Sequence, residues 1–339
     1  MPATVEPNSS SASARRLASR LRLGPVLLRL WHQPIGRLRN MIAQGGPIVT
    51  RATERGRLEM EQAATKLPPL PEFPGAQQVT LHVLTGRRYW YQTAFCLRSF
   101  AKHAQVGIDV EIYDDGSIDP GLVQQIKSFA PHARVHAETD IVARLQEHLP
   151  EARFPVLRER WRNYPNIRKL IDPHLGSSGW KLVIDSDLLF FRRPDFILEW
   201  LRAPDRPLHA VDCEESYGYP RKLLENLAGA PLPALVNVGL CGWRSEDLDW
   251  NELERWCRKL TIDYRPSYYL EQALVAMLAA QHACAIAPAA DYVMLPRPPE
   301  AIECRAVMHH YVAGSKRWYF QRNWRDIAIA AQGAPGTVR

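Results

Sequence analysis

KLVIDSDLLFF, residues 181–191, sets two aspartates inside an otherwise apolar run. Taking a carboxylate out of water costs several kcal/mol unless it is paired or bound to a metal. The run reads as one strand, and residues i and i+2 of a strand face the same side. Asp185 and Asp187, with Ser186 between them, are therefore expected to converge on one point at a strand end. Two carboxylates at close range repel, and a divalent cation removes that penalty. Hard oxygen ligands suit Mn2+ or Mg2+. In open α/β sheets, ligands bind beyond the carboxyl ends of the strands, where this pair would sit. A surface turn can also contain D-S-D, so the neighbouring segments decide the reading.

Upstream, VTLHVLT (79–85), IDVEIYD (108–114) and ARVHA (133–137) read as strands. Between them lie two helices, YWYQTAFCLRSFAKHA (89–104) and DPGLVQQIKSFAP (119–131). Asp119 is the expected N-cap of the second, with Pro120 in its first turn. Downstream, 206–213, 234–243, 282–288 and 304–311 are strand candidates, and 247–260 and 268–281 are helices. Alternating strands and helices predict an α/β domain with a single mixed, mostly parallel sheet flanked by helices. The organisation expected is an N-terminal arm with a Pro-rich linker (1–76), a catalytic domain (77–325) and a short tail (326–339).

The bulk composition is that of a globular protein: 339 residues, 46% hydrophobic and 23% charged. No apolar run is long enough for a transmembrane helix, and no secretory leader is read at the N-terminus. The six cysteines include no C-x-x-C pair, which argues against a structural zinc site and for free thiols in the cytoplasm. The net charge of +7 resides in the first 70 residues, which hold eleven basic and four acidic side chains. The remainder is neutral, so the basic pI is no argument for nucleic acid as a partner. The basic stretch 15–42 has a broken amphipathic pattern that suits either packing or the anionic inner face of a membrane.

The second chemical segment is HHYVAGSKRW, residues 309–318. An apolar strand through Ala306 and Met308 delivers histidine into a polar loop. Imidazole suits a metal, Lys316 and Arg317 suit phosphate oxygens, and Gly314-Ser315 offers backbone N–H donors. A structural histidine followed by a basic loop is the alternative. Strand alternation puts His310 on the face of Met308 and His309 on the other.

Together these segments resemble the GT-A fold of nucleotide-diphospho-sugar transferases, and in particular the retaining glycosyltransferases of family 8. The D-S-D stretch resembles their D-x-D strand. The C-terminal segment resembles their H-x-x-G-x-x-K-P-W motif: His310, Lys316 and Trp318 keep the spacing, Gly314 is displaced by one, and Arg317 replaces proline. The resemblance implies a metal held by Asp185, Asp187 and His310, with His309 as the alternate ligand, and a leaving diphosphate met by Lys316. It implies a sugar and acceptor pocket lined by Asn237 of VNVGLCGW, and Glu271 and Gln272 of YLEQALV near the reacting carbon. On the nucleotide side it implies Thr85, Gly86 and the following loop (Arg87, Arg88 or Tyr91), and Asp115 of YDDGS. An Asp-Gly turn explains Asp115 equally well, and a solvated helical position explains Glu271. Lys169 resembles a lysine upstream of the D-x-D strand, serving phosphate or pairing with an aspartate. The expected reaction is transfer of a sugar from a UDP- or GDP-sugar to a hydroxyl of a glycan, lipid or small molecule, with retention. An inverting enzyme would need a base, for which Glu214 and Glu215 are placed. A nucleotidyltransferase is the alternative enzyme, but TGRRYW lacks a glycine-rich phosphate loop. A sugar-nucleotide-binding protein without activity is the other alternative.

Overall fold

The computed structural model describes residues 45–332, with side chains described through residue 328. The amphipathic stretch 15–42 and the end of the tail lie outside the described residues. The chain divides into two compact units, 1–54 and 55–339. No described helix is long and apolar enough to cross a membrane.

The strands are β1 (Gln78–Thr85), β2 (Gly107–Asp114), β3 (Arg134–His136), β4 (Trp180–Ile184), β5 (Leu188–Phe190), β6 (Leu208–Ala210), β7 (Asn237–Arg244), β8 (Ala285–Ile286), β9 (Tyr292–Met294) and β10 (Met308–His310). The principal helices are α1 (Gly46–Ala64), α2 (Trp90–Ala104), α3 (Pro120–Phe129), α4 (Glu138–His148), α5 (Pro155–Asn163), α6 (Arg168–Ile171), α7 (Asp195–Arg202), α8 (Arg221–Ala228), α9 (Trp250–Arg258), α10 (Leu270–Ala280) and α11 (Trp324–Gln332). Seven strands form the main sheet in the order β3-β2-β1-β4-β7-β6-β8. β3, β2, β1 and β4 run parallel, β7 is antiparallel to both β4 and β6, and β6 and β8 are parallel. This is the mixed, mostly parallel sheet expected. Asp119 caps α3 as predicted, its carboxylate accepting from the Leu122 N–H at 2.9 Å.

Two features differ from the sequence reading. The D-S-D stretch is not one strand: β4 ends at Ile184, and β5 begins at Leu188 in a different sheet. The aspartates occupy the short connection between them, so strand alternation is not what brings them together. The second sheet has three strands in the order β5-β10-β9, with β10 antiparallel to β5 and parallel to β9. A strand too short to show periodicity, such as β9, leaves no pattern to read.

Helix α1 is more than a linker segment. Its Met60 is fully buried, in a cluster with Tyr91, Phe95, Leu189, Tyr311, Tyr319 and Trp324. A Cβ added at Gly56 would stand 2.1 Å from the Phe320 carbonyl oxygen, so only glycine permits that approach.

Candidate active site

The register of the two sheets assembles the site. Beyond Ile184, the Asp185 N–H donates to the Gly239 carbonyl of β7 at 2.8 Å. On the far side of the connection His310 pairs with Leu188, and the Tyr311 N–H donates to the Asp187 carbonyl at 3.0 Å. One peptide connection is therefore clamped by β7 at one end and by β10 at the other. Ligand atoms of Asp185, Asp187 and His310 all lie within 4.8 Å of one another. His310 Nε2 is 3.1 Å from Asp187 and 3.7 Å from Asp185. Its other nitrogen, Nδ1, lies 3.2 Å from the Asn237 side-chain oxygen and 3.1 Å from the Met294 sulfur. Donation from Nδ1 to the Asn237 oxygen would leave the Nε2 lone pair to a cation seated between the imidazole and the carboxylates, which is the tautomer a metal ligand needs. Two carboxylates and one oriented imidazole fit Mn2+ or Mg2+.

His309 points the other way. It is buried, with Nε2 2.7 Å from Glu300 and Nδ1 3.0 Å from the Tyr311 hydroxyl. Gly239 explains how the ring of His310 fits: a Cβ there would meet the imidazole at 2.4 Å. β6 and β7 also fall out of register between His209 and Ala210, which shifts Ala210 opposite Asn237. At that irregularity the Asp212 carboxylate accepts from Asn237 at 3.1 Å and from the Gln272 amide at 2.9 Å. Gln272 also donates to the Val236 carbonyl at 2.9 Å, so its carbonyl end is left for the cleft.

Two lysines answer the carboxylates. Lys169 lies 2.7 Å from Asp185 and 3.3 Å from Glu271, while Lys316 lies 3.1 Å from Asp187. Burial alone would raise Asp187, but His310 and Lys316 hold it well below the usual carboxylate range. Burial would lower Lys169, yet the charges of Asp185 and Glu271 outweigh it and keep the ammonium protonated. Burial would also lower His310, and Asp187 raises it instead. Glu271 is different: burial pushes it up to about 8, against the pull of Lys169. The buried position of Glu271 excludes the solvated helical reading.

These groups line a cleft of about 570 Å3, within the roughly 300–1,000 Å3 of small-molecule sites. Of the residues expected at the site, Thr85, Asp115, Lys169, Asp185, Ser186, Asp187, Asn237, Glu271, Gln272, His310 and Lys316 line it. Gly86 is not in the lining; it packs against the Asp115–Ser117 turn, where a Cβ would meet Asp115 at 1.9 Å. Tyr91 is also elsewhere, buried in the cluster behind the C-terminal segment, and Tyr89 lines the cleft from that loop. Arg87 pairs with Asp119, and Arg88 lies over the Tyr89 ring, so neither lines the cleft. Glu214 lines the cleft, whereas Glu215 pairs with Arg221. Asp212, Tyr268 and Tyr269 were not singled out from the sequence. Asp212 follows a strand of only three residues, and nothing in the local pattern marks the loop before α10.

No family model matches the chain, and no curated protein matches it in sequence. Among solved structures it is similar to the galactosyltransferase LgtC in complex with donor and acceptor sugar analogs. That likeness has a TM-score of 0.50 at 12% identity and covers 76% of this chain and 98% of the other. It is also similar to mouse xyloside xylosyltransferase 1, with a TM-score of 0.48 at 11% identity over 70% of this chain and 99% of that one. At such identity the likeness to LgtC shows the fold: the chain has the GT-A architecture.

Proposed function

We propose that this chain is a metal-assisted glycosyltransferase, moving a sugar from a UDP- or GDP-linked donor to a hydroxyl acceptor with retention of configuration. The observation that carries the proposal is the convergence of Asp185, Asp187 and His310, flanked by Lys316, in a cleft at the ends of β1 and β4. The fold shared with LgtC, and the donor and acceptor sugar analogs in that structure, support it.

In the proposed reaction the acceptor oxygen bonds to the anomeric carbon as the bond from that carbon to the diphosphate breaks. The acceptor's proton goes to the departing diphosphate. A divalent cation at Asp185, Asp187 and His310 would supply charge neutralisation for that leaving group. Lys316 is the cation of the chain placed to follow the same charge. Asn237 keeps His310 in the ligating tautomer, and Asp212 holds Asn237 and Gln272 against one wall. Lys169 lies between Asp185 and Glu271 and offsets the charge of Asp185, while burial favours the protonated form of Glu271, so two like charges do not face each other at close range. A retaining route needs no strong base beside the acceptor, whereas an inverting one would need Glu214.

The test is donor turnover across UDP-, GDP- and dTDP-sugars with and without Mn2+, with product configuration read by NMR. Metal-dependent release of one nucleoside diphosphate with a retained anomer is expected. Turnover that is indifferent to chelation would defeat the proposal.

A further inference from the structure

Among the described residues four large aromatic side chains are exposed: Tyr89, Tyr264, Tyr268 and Tyr269. Three of them, Tyr89, Tyr268 and Tyr269, line the cleft. Exposed tyrosines scattered over a surface need no explanation, but this concentration at one site does. Tyr268 is 74% exposed, the most open of the four. Its ring meets that of Tyr269 edge to face, with centroids 5.4 Å apart and planes at 85°.

The loop bearing the pair is fixed. The Tyr164 hydroxyl donates to the Tyr268 carbonyl at 2.6 Å, and the Tyr269 N–H donates to the Ser267 hydroxyl at 3.1 Å. With the backbone held before ligand arrives, using the open ring costs only the freedom of its two side-chain torsions. The loop leads directly into Glu271 and Gln272, so it stands beside the side chains assigned to the reacting carbon.

From this geometry we propose that the Tyr268 ring, buttressed edge to face by Tyr269, is a stacking platform for a sugar ring of the acceptor, making the acceptor a neutral saccharide. The proposal rests on the glycosyltransferase reading and names its substrate class. A pyranose offers an apolar C–H face to an aromatic ring and a rim of hydroxyls to polar groups. Asp212 and Glu214 in the same cleft supply acceptors for such hydroxyls. An acyl chain would need apolar walls on every side. An anionic acceptor would need a free cation, and the two lysines in the lining already face Asp185, Glu271 and Asp187.

The experiment uses saturation-transfer NMR on the full chain with three probes: neutral disaccharides, uronic-acid disaccharides and a short fatty alcohol. Wild type and Tyr268→Phe are expected to bind neutral disaccharides, with transfer strongest to ring C–H protons. Tyr268→Ala is expected to bind them about tenfold more weakly. Equal binding by Tyr268→Ala, no saccharide binding by wild type, or preference for the alcohol or the uronic acids would overturn the proposal. Mn2+-dependent binding of UDP and GDP to wild type reads the donor assignment separately. Its loss with saccharide binding intact would count against the donor reading and not against the platform.

Discussion

His309 faces Glu300 and Tyr311, and His310 faces Asp187, because neighbouring residues of an extended strand point to opposite sides. The His310→Ala variant is expected to raise the Mn2+ requirement by about tenfold or more. His309→Ala should leave that requirement alone and lower the melting temperature, since it empties a buried site and takes one partner from both Glu300 and the Tyr311 hydroxyl. The reverse pattern in a Mn2+ titration would show that the wrong histidine has been placed at the metal. A third histidine carries a pH effect. Burial, aided by the charge of Lys181, lowers His82 to about 3. It stays neutral in the folded state while the unfolded chain takes up a proton below pH 6.5. Its contribution is therefore full above pH 6.5 and is lost as pH falls toward 3, at about 1.4 kcal/mol per pH unit. Urea melts of wild type and His82→Gln should show this slope in their difference between pH 6 and 4. Parallel curves would mean that His82 is protonated in the fold.

At the scale of the element, the short connection between β4 and β5 is held by β7 at one end and by β10 and Tyr311 at the other. Gly239→Ala places a methyl against His310 and Asn237, and overpacking of this kind costs about 1–3 kcal/mol. The expected result is a lowered melting temperature together with weakened Mn2+ binding. Loss of stability with unchanged metal affinity would show that His310 tolerates a shift. Helix α1 makes a separate prediction. Met60→Ala should destabilise by about 2–5 kcal/mol, because the residue is sealed among Tyr91, Phe95 and Tyr319. Deleting residues 1–66 should cost more than that single substitution, and denaturant melts compare the two. A deletion that leaves stability unchanged would mean α1 is dispensable to the cluster.

At the scale of the whole molecule, the parts legible in the sequence were those with long patterns or dense chemistry. β1, β2, α2 and α3 show through the alternation of strand and helix patterns, α3 also through its Asp119 cap, and D-S-D stands out because carboxylates are costly in an apolar run. His310 and Lys316 stand out because their spacing resembles that of the family 8 motif. What escaped was set by contacts between distant segments. The break between β4 and β5 depends on β7 and β10 capturing opposite ends of the connection. Asp212 reaches the site through a register shift, and Tyr91 turns inward because α1 and the C-terminal segment cover it. The proposed function requires that Asp185, Asp187 and His310 hold a divalent cation which couples to nucleotide binding. The direct measurement is calorimetric titration of UDP and GDP into wild type and Asp187→Ala, each with Mn2+ and with chelator. Tight binding of one nucleotide only to wild type with Mn2+, alongside a folded variant that does not bind it, is the predicted result. Equal binding in all four conditions, or metal-dependent binding that survives in Asp187→Ala, would contradict it.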